Sequence, residues 1–326
     1  MYPVLTYSRT PGDFTHALAP LQQLGLKAIR LIYKGLPETL FLQRIAEIQE
    51  QISRQGLDID ILVDLPGRKP AVGSLPQDLQ IQAGQEYKLV PAETHLLSPD
   101  IPLDNFFDHA DFPGLAAGDT ISIADDELNL QVLEVTATAV RCTALNTFRL
   151  SANRSLSVKN RPFLVTANSE KDLKLVQALA GIPDNLKLVV SFTREAKDIL
   201  QLKALQPAAD IIPKIETLLD DRALQDILDC SQTLMLGRGD LSLACRPSEL
   251  FAFQQHLISL CRAQGKRLIV ATGLLSGIGD KGYPSIAEIA DYAQLRHAGV
   301  EAFLITGSNA QRYPAQTLQF MRDFEV

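Results

Sequence analysis

Four residues of the 326-residue chain stand where chemistry is easiest to build: Lys214 and Glu216, then Arg238 and Asp240. Each pair sits at the end of a short apolar run, Ile211–Ile215 in one case and Leu234–Gly237 in the other. Between the runs Leu218, Ala223, Leu224, Ile227 and Leu228 fall at helical spacing, which predicts a crossover helix joining two parallel strands. Parallel strands joined this way bring their C-terminal ends to one rim, so both carboxylates and both cations would share it. Two carboxylates with Lys and Arg beside them suit a hard divalent cation holding an anionic substrate. Taken singly, such charges are often only solvated turns, and Glu216 could be an ordinary helix N-terminal acid.

The elements that must position these residues follow a simple rhythm. Val4–Tyr7, Lys27–Tyr33 and Asp58–Leu65 read as strands, the first ended by Pro11-Gly12. The helices between them begin near Asp13, a candidate N-cap, and at Pro37, with Leu18, Leu21 and Leu24 on one face of the first. Leu40, Phe41, Ile45, Ile48 and Ile52 are expected to face inward on the second, which runs to Arg54. Residues 68–160 then lose the helical period and show short alternating stretches such as Tyr87–Val90, Thr120–Ile123 and Leu130–Val135. This segment is too long for a loop and reads as an inserted β-rich domain, a lid over the rim.

After Pro162 the alternation resumes, with Ser169–Asp172 as a capping-box start and strands at Leu186–Phe192, Arg267–Ala271 and Ala302–Thr306. Helices are expected at Arg194–Leu205, Pro247–Gln264, Pro284–His297 and Pro314–Phe324. The predicted fold is α/β: a (β/α)8 TIM barrel from 1–67 and 161–326, with a small β-barrel domain, 68–160, inserted after strand three.

Composition narrows the partners. A net charge of −7 argues against nucleic acid or an anionic membrane surface, and hydrophobic content of 46% is ample for a core. Cys142, Cys230, Cys245 and Cys261 have no metal-ligand spacing and read as reduced thiols. No leader or bilayer-spanning run is evident, so a cytoplasmic protein is expected.

Strand ends would therefore gather Arg30, Asp64, Lys214, Glu216, Arg238, Asp240 and Thr272 in one mouth. The motifs around them resemble the pyruvate kinase family. Lys214-Ile215-Glu216 and Arg238-Gly239-Asp240-Leu241 are similar to its two signatures, Leu26–Leu31 to its arginine strand, and Asp64–Gly67 to its Asp-Thr-Lys-Gly stretch. Ala83-Gly84-Gln85, Ala124-Asp125-Asp126, Glu170–Asp172, Ser191-Phe192, Val270–Ile278 and Pro284–Glu288 extend the likeness in the family's order. The resemblance implies the phosphoenolpyruvate/pyruvate type of barrel and a Mg2+ or Mn2+ cofactor held by Glu216 and Asp240. It gives catalytic roles to Lys214, Arg30 and Thr272. Substrate binding falls to Ser191 and to the backbone amides of Arg238, Gly239 and Asp240.

Departures from the pattern are as informative. Where the family binds K+, this chain has Ile32, Lys34 and Leu65 beside Asp64, so Lys34 with Asp64 is expected to replace the monovalent cation and K+ not to be required. On the nucleotide side the family's residues correspond to Ala71, Ala244 and Thr306-Gly307-Ser308, with Arg154 at best in place of a lysine. The chain stops at Val326, where the family continues into a C-terminal domain.

Three readings stay open. The first is phosphoryl transfer on phosphoenolpyruvate or pyruvate, with ADP or ATP unsettled and a homo-oligomer possible. The second is a Mg2+-dependent pyruvate aldolase or oxo-acid decarboxylase without nucleotide, a class that Ile215-Glu216-Thr217 and Asp240-Leu241-Ser242 also resemble. The third is a non-catalytic binding protein.

Overall fold

The computed structural model describes residues 1–7, 18–33, 36–92, 100–107, 114–124, 126–159, 167–179 and 183–324. Lys34, the Pro11-Gly12 turn, the Asp13 cap, Asp125 and the expected boundary near 161 lie outside the described residues.

The first elements are β1 (Tyr2–Thr6), α1 (Leu18–Gln23), β2 (Ala28–Ile32), α2 (Glu38–Arg54) and β3 (Asp60–Leu65). On α2 the spacing of Phe41, Ile45, Ile48 and Ile52 buries one stripe. Leu40, expected on that stripe, is instead 52% exposed: it is one residue before Phe41, and neighbours in sequence diverge by about 100° around a helix.

Nine strands follow: β4 (Ala71–Val72), β5 (Leu79–Ile81), β6 (Glu86–Pro91), β7 (Asp100–Asp104), β8 (Thr120–Ile123), β9 (Leu128–Thr136), β10 (Ala139–Ala144), β11 (Phe148–Leu150) and β12 (Leu156–Val158). Seven of them form a sheet in the order β12-β8-β9-β10-β6-β7-β4, mostly antiparallel, and β11 pairs with β5. An isolated bridge from Ala71 to Ser155 brings the two edges of the larger sheet together, so the unit is a nearly closed β-barrel. Alternation along β9 sends Leu128, Leu130 and Val132 into a core with Tyr87, Leu89 and Ile121.

The chain then runs through α3 (Glu170–Ala178), β13 (Leu186–Val190), α4 (Ala196–Leu205), β14 (Asp210–Ile215), α5 (Asp221–Cys230), β15 (Thr233–Gly237), α6 (Arg238–Ala244) and α7 (Pro247–Ala263). It ends with β16 (Arg267–Ala271), α8 (Ser276–Lys281), α9 (Ile286–His297), β17 (Ala302–Ile305), α10 (Gly307–Arg312) and α11 (Pro314–Asp323). Ser169 caps α3 through the expected box with Asp172. The crossover helix α5 is capped by Asp220, which leaves Leu218 outside it and 37% exposed. The short helices α6, α8 and α10, each directly beyond a barrel strand or its turn, were not foreseen.

Eight parallel strands close in the order β1-β17-β16-β15-β14-β13-β3-β2, with β2 returning to β1. Their period-two pattern divides the core. Val4, Ala28, Leu62, Val189, Ile212, Met235 and Ile269 pack together inside the barrel. Alternate residues such as Leu5, Ile29, Ile61, Leu188 and Phe303 are also fully buried, as expected of strands covered by helices.

By compactness the chain divides into a first unit of residues 1–66, 167–239 and 251–326 and a second of 67–166 with 240–250. The segment 240–250, which the strand-and-helix reading carries with the barrel, groups with the inserted strands.

Candidate active site

The barrel unit places a buried polar cluster at the C-terminal ends of four neighbouring strands. Arg30 near the end of β2 faces Asp64 in β3, with Nε 2.6 Å from Oδ2. Ser191, the first residue beyond β13, donates its hydroxyl to the other Asp64 oxygen at 2.9 Å. Lys214 in β14 reaches Glu216 at 2.9 Å, Ser191 at 3.4 Å and Asp64 at 3.8 Å. Asp64 and Glu216 are nearly inaccessible to solvent, at 2% and 3%. The strand registers make this possible: Val189 is level with Asp64, and Lys214 enters from the strand beyond.

Burial disfavours ionisation of Asp64, but the Lys214 and Arg30 charges outweigh it and hold the carboxyl below its ordinary range. Burial likewise opposes the Lys214 ammonium, yet Asp64 and Glu216 together hold its pKa above the ordinary lysine value. The cluster thus pairs two cations, Arg30 and Lys214, with two carboxyl groups, Asp64 and Glu216.

Local backbone serves Glu216. Phe192 adopts a left-handed φ of 57°, and its N–H donates to Glu216 Oε2 at 3.1 Å. A non-glycine residue in that region is strained and is usually held there by its surroundings. Gly237, at the end of β15, leaves room for the same side chain: a Cβ on Gly237 would lie 2.6 Å from Glu216 Cγ.

A second constellation links the sixth and seventh strands. Arg238 forms a two-pronged ion pair with Asp291 on α9, at 2.9 and 2.8 Å, and donates to the Thr272 carbonyl at 3.0 and 2.8 Å. Thr272 has φ 75° and an exposed side chain, and the Thr272 methyl would be 3.1 Å from a Cβ on Gly239. Asn309, buried, donates to the carbonyls of Leu274 and Leu275 and fixes the rest of that turn.

In the second unit Asp240 is paired with Lys69, and Ser157 donates to the same carboxylate oxygen at 3.5 Å. The barrel unit therefore gathers Arg30, Asp64, Ser191, Lys214 and Glu216, and separately Arg238, Gly239 and Thr272. Asp240 falls in the other unit, and Lys34 is outside the described residues. Phe192 entered the sequence reading only within the Ser191-Phe192 match and Asp291 not at all, since neither a strained peptide nor a partner on a distant helix has a local signal.

Among the described residues no group of three His, Cys, Asp or Glu side chains is placed to hold a metal. Mg2+ does not need such a cage: it takes one or two carboxylates and completes its shell with water and substrate oxygens. The carboxylate of Glu216 offers oxygens of that hard type, Oε1 paired with Lys214 and Oε2 accepting from the Phe192 N–H.

A family model described as pyruvate kinase, barrel domain, matches residues 11–318. Pyruvate kinase of Thermotoga maritima is 26% identical over 292 residues, covering 86% of this chain and 60% of the relative. That of Bacillus licheniformis is 27% identical over 325 residues, covering 96% and 54%. Crystal structures of pyruvate kinase from Pyrobaculum aerophilum and Cryptosporidium parvum superpose with TM-scores of 0.81 and 0.80, at 22% and 23% identity. They cover 98% of this chain in both cases, and 72% and 68% of their own. At that identity the superpositions speak for the fold. The chain spans 49–61% of the length of the curated relatives first matched. With the family model covering nearly all of its length, the chain belongs to the pyruvate kinase family.

Proposed function

We propose that this protein is a Mg2+-dependent phosphotransferase acting on phosphoenolpyruvate or pyruvate. The observation that carries the reading is Lys214, a buried ammonium 2.9 Å from Glu216 and within the same cluster as Arg30, in a chain of this family. Phosphoryl transfer asks for positioning and cationic stabilisation rather than covalent chemistry. Lys214 and Arg30 would bind the transferring phosphoryl oxygens, with Asp64 and Ser191 holding both cations in place. The N–H groups of Arg238, Gly239 and Asp240, at the start of α6, would receive the substrate carboxylate. Thr272 would stand beside the substrate methylene, held by Arg238 through the Thr272 carbonyl.

Because Asp64 and Glu216 already engage both cations of the cluster, an arriving substrate anion would need a further counter-cation. Glu216 would hold Mg2+ or Mn2+ for that purpose. When bound, the metal offsets negative charge on phosphoryl and enolate oxygens.

The test is ATP formation from phosphoenolpyruvate and ADP with Mg2+. Lys214→Met is expected to lower the rate by about 10²–10³-fold, the loss typical of removing one preorganised charge-stabilising donor. A Lys214→Met enzyme of unchanged rate would overturn the assignment. A second reading, enolate chemistry as an aldolase or decarboxylase, draws support from Ala71, Ala244 and Thr306–Ser308 at the family's nucleotide positions. It predicts pyruvate-dependent lyase activity that ADP leaves untouched.

A further inference from the structure

We propose that a cavity at the opposite end of the barrel binds a small phosphate ester through Arg262, Lys266 and Arg267. The cavity has a volume of about 280 Å³ and lies where β16 and β17 begin, at the strand ends remote from Lys214. Its walls combine these three cations with a single carboxylate, Glu301, over an apolar floor that includes Cys261, Leu268 and Val300.

The cations lack the partners that surface arginines usually find. Among the described residues neither Arg262 nor Arg267 forms an ion pair, and Lys266 donates only to the Ser231 carbonyl, at 3.0 Å. Arg267 is oriented by the Tyr2 ring, whose centroid lies 4.6 Å from the guanidinium carbon. That contact holds the guanidinium by cation–π attraction. In a chain of net charge −7, three cations gathered at one concavity with one opposing acid form a local field that attracts anions.

Geometry limits the size of the ligand. Gly265 and Gly299 close the turns after α7 and α9 at φ +63° and +93°, so no side chain from either turn fills the space. The volume is just below the 300–1,000 Å³ typical of drug-sized ligands, which suits a phosphoryl group on a small carrier. Guanidinium forks match the paired oxygens of a phosphate, and an ammonium adds a point charge. This site is independent of the reaction assigned to the barrel mouth.

The test is calorimetric titration of the intact protein with pyrophosphate and with inorganic phosphate, in chelator so that no metal complex forms. Saturable binding is expected, at least tenfold weaker in Arg262→Gln and in Arg267→Gln and tighter in Glu301→Gln. Arg262 and Glu301 are both exposed, so these variants leave the core untouched. Lys214→Met, at the other end of the barrel, is expected to bind as the native protein does. Absence of saturable binding, equal affinity in the Arg262→Gln and Arg267→Gln variants, or loss in Lys214→Met alone would overturn the proposal.

Discussion

Asp64 sits between two cations, 2.6 Å from Arg30 and 3.8 Å from Lys214, with almost none of its surface exposed. Removing one charge from such a cluster leaves the others buried without compensation. Asp64→Asn is therefore expected to destabilise the protein by about 3–5 kcal/mol, read from urea unfolding midpoints. An Asp64→Asn protein of native stability would mean that water reaches Arg30 and Lys214 freely.

The same cluster sets two pH limits. The folded pKa of Asp64 is depressed, so its contribution is present above the ordinary value of 3.8 and is lost as pH falls further. The folded pKa of Lys214 is raised, so its contribution is complete below 10.5 and is lost as pH rises beyond. Stability measured against pH should fall less steeply below 3.8 in Asp64→Asn, and less steeply above 10.5 in Lys214→Met, than in the native protein.

Gly237 and Glu216 compete for one space. A Cβ at 2.6 Å from Glu216 Cγ cannot be accommodated without moving the carboxylate. Gly237→Ala is expected to cost about 1–3 kcal/mol from overpacking. It should also weaken Mg2+-dependent oxalate binding, measured by calorimetry, whereas Gly282→Ala, strained at φ +80° but with nothing near its Cβ, should lose stability and leave that binding unchanged.

Arg238 holds the Thr272 turn while Asp291, with Gln254 at 3.4 Å, holds Arg238. Charge-assisted hydrogen bonds of this kind contribute about 1.5–3 kcal/mol, so Asp291→Ala should lose about that much stability. Amide exchange should quicken at residues 272–275, while Asp291→Glu restores protection. Unaltered exchange in Asp291→Ala would show that Gln254 and Asn309 suffice to fix the turn.

The barrel was legible because its strands announce themselves as apolar runs and its helices as capped amphipathic stretches. Ser169 with Asp172 closes the box that its spacing implies, and Ser285 with Glu288 closes another that was not foreseen. Arg30, Asp64, Lys214 and Glu216 were legible for a related reason: a charge that ends an apolar run in a parallel barrel has one rim to occupy. The rest depended on tertiary detail. Nothing in the sequence of Phe192 announces a left-handed peptide, and Asp291 looks like any helical acid until Arg238 reaches it. Leu40 was misplaced because an apolar residue next to an apolar stripe is indistinguishable from part of it. The pairing of Lys69 with Asp240 joins residues far apart in sequence, where no local period operates.

The central claim, a metal-dependent enolpyruvate site completed by nucleotide, is tested most directly by thermal unfolding with Mg2+ and oxalate, with and without ADP. A ligand at a hundred times its dissociation constant adds about 2.7 kcal/mol of stability. Mg2+ with oxalate is predicted to raise the melting temperature, ADP to raise it further, and Glu216→Gln to abolish the response. An unshifted melting temperature under every condition, or a full response retained in Glu216→Gln, would contradict the account.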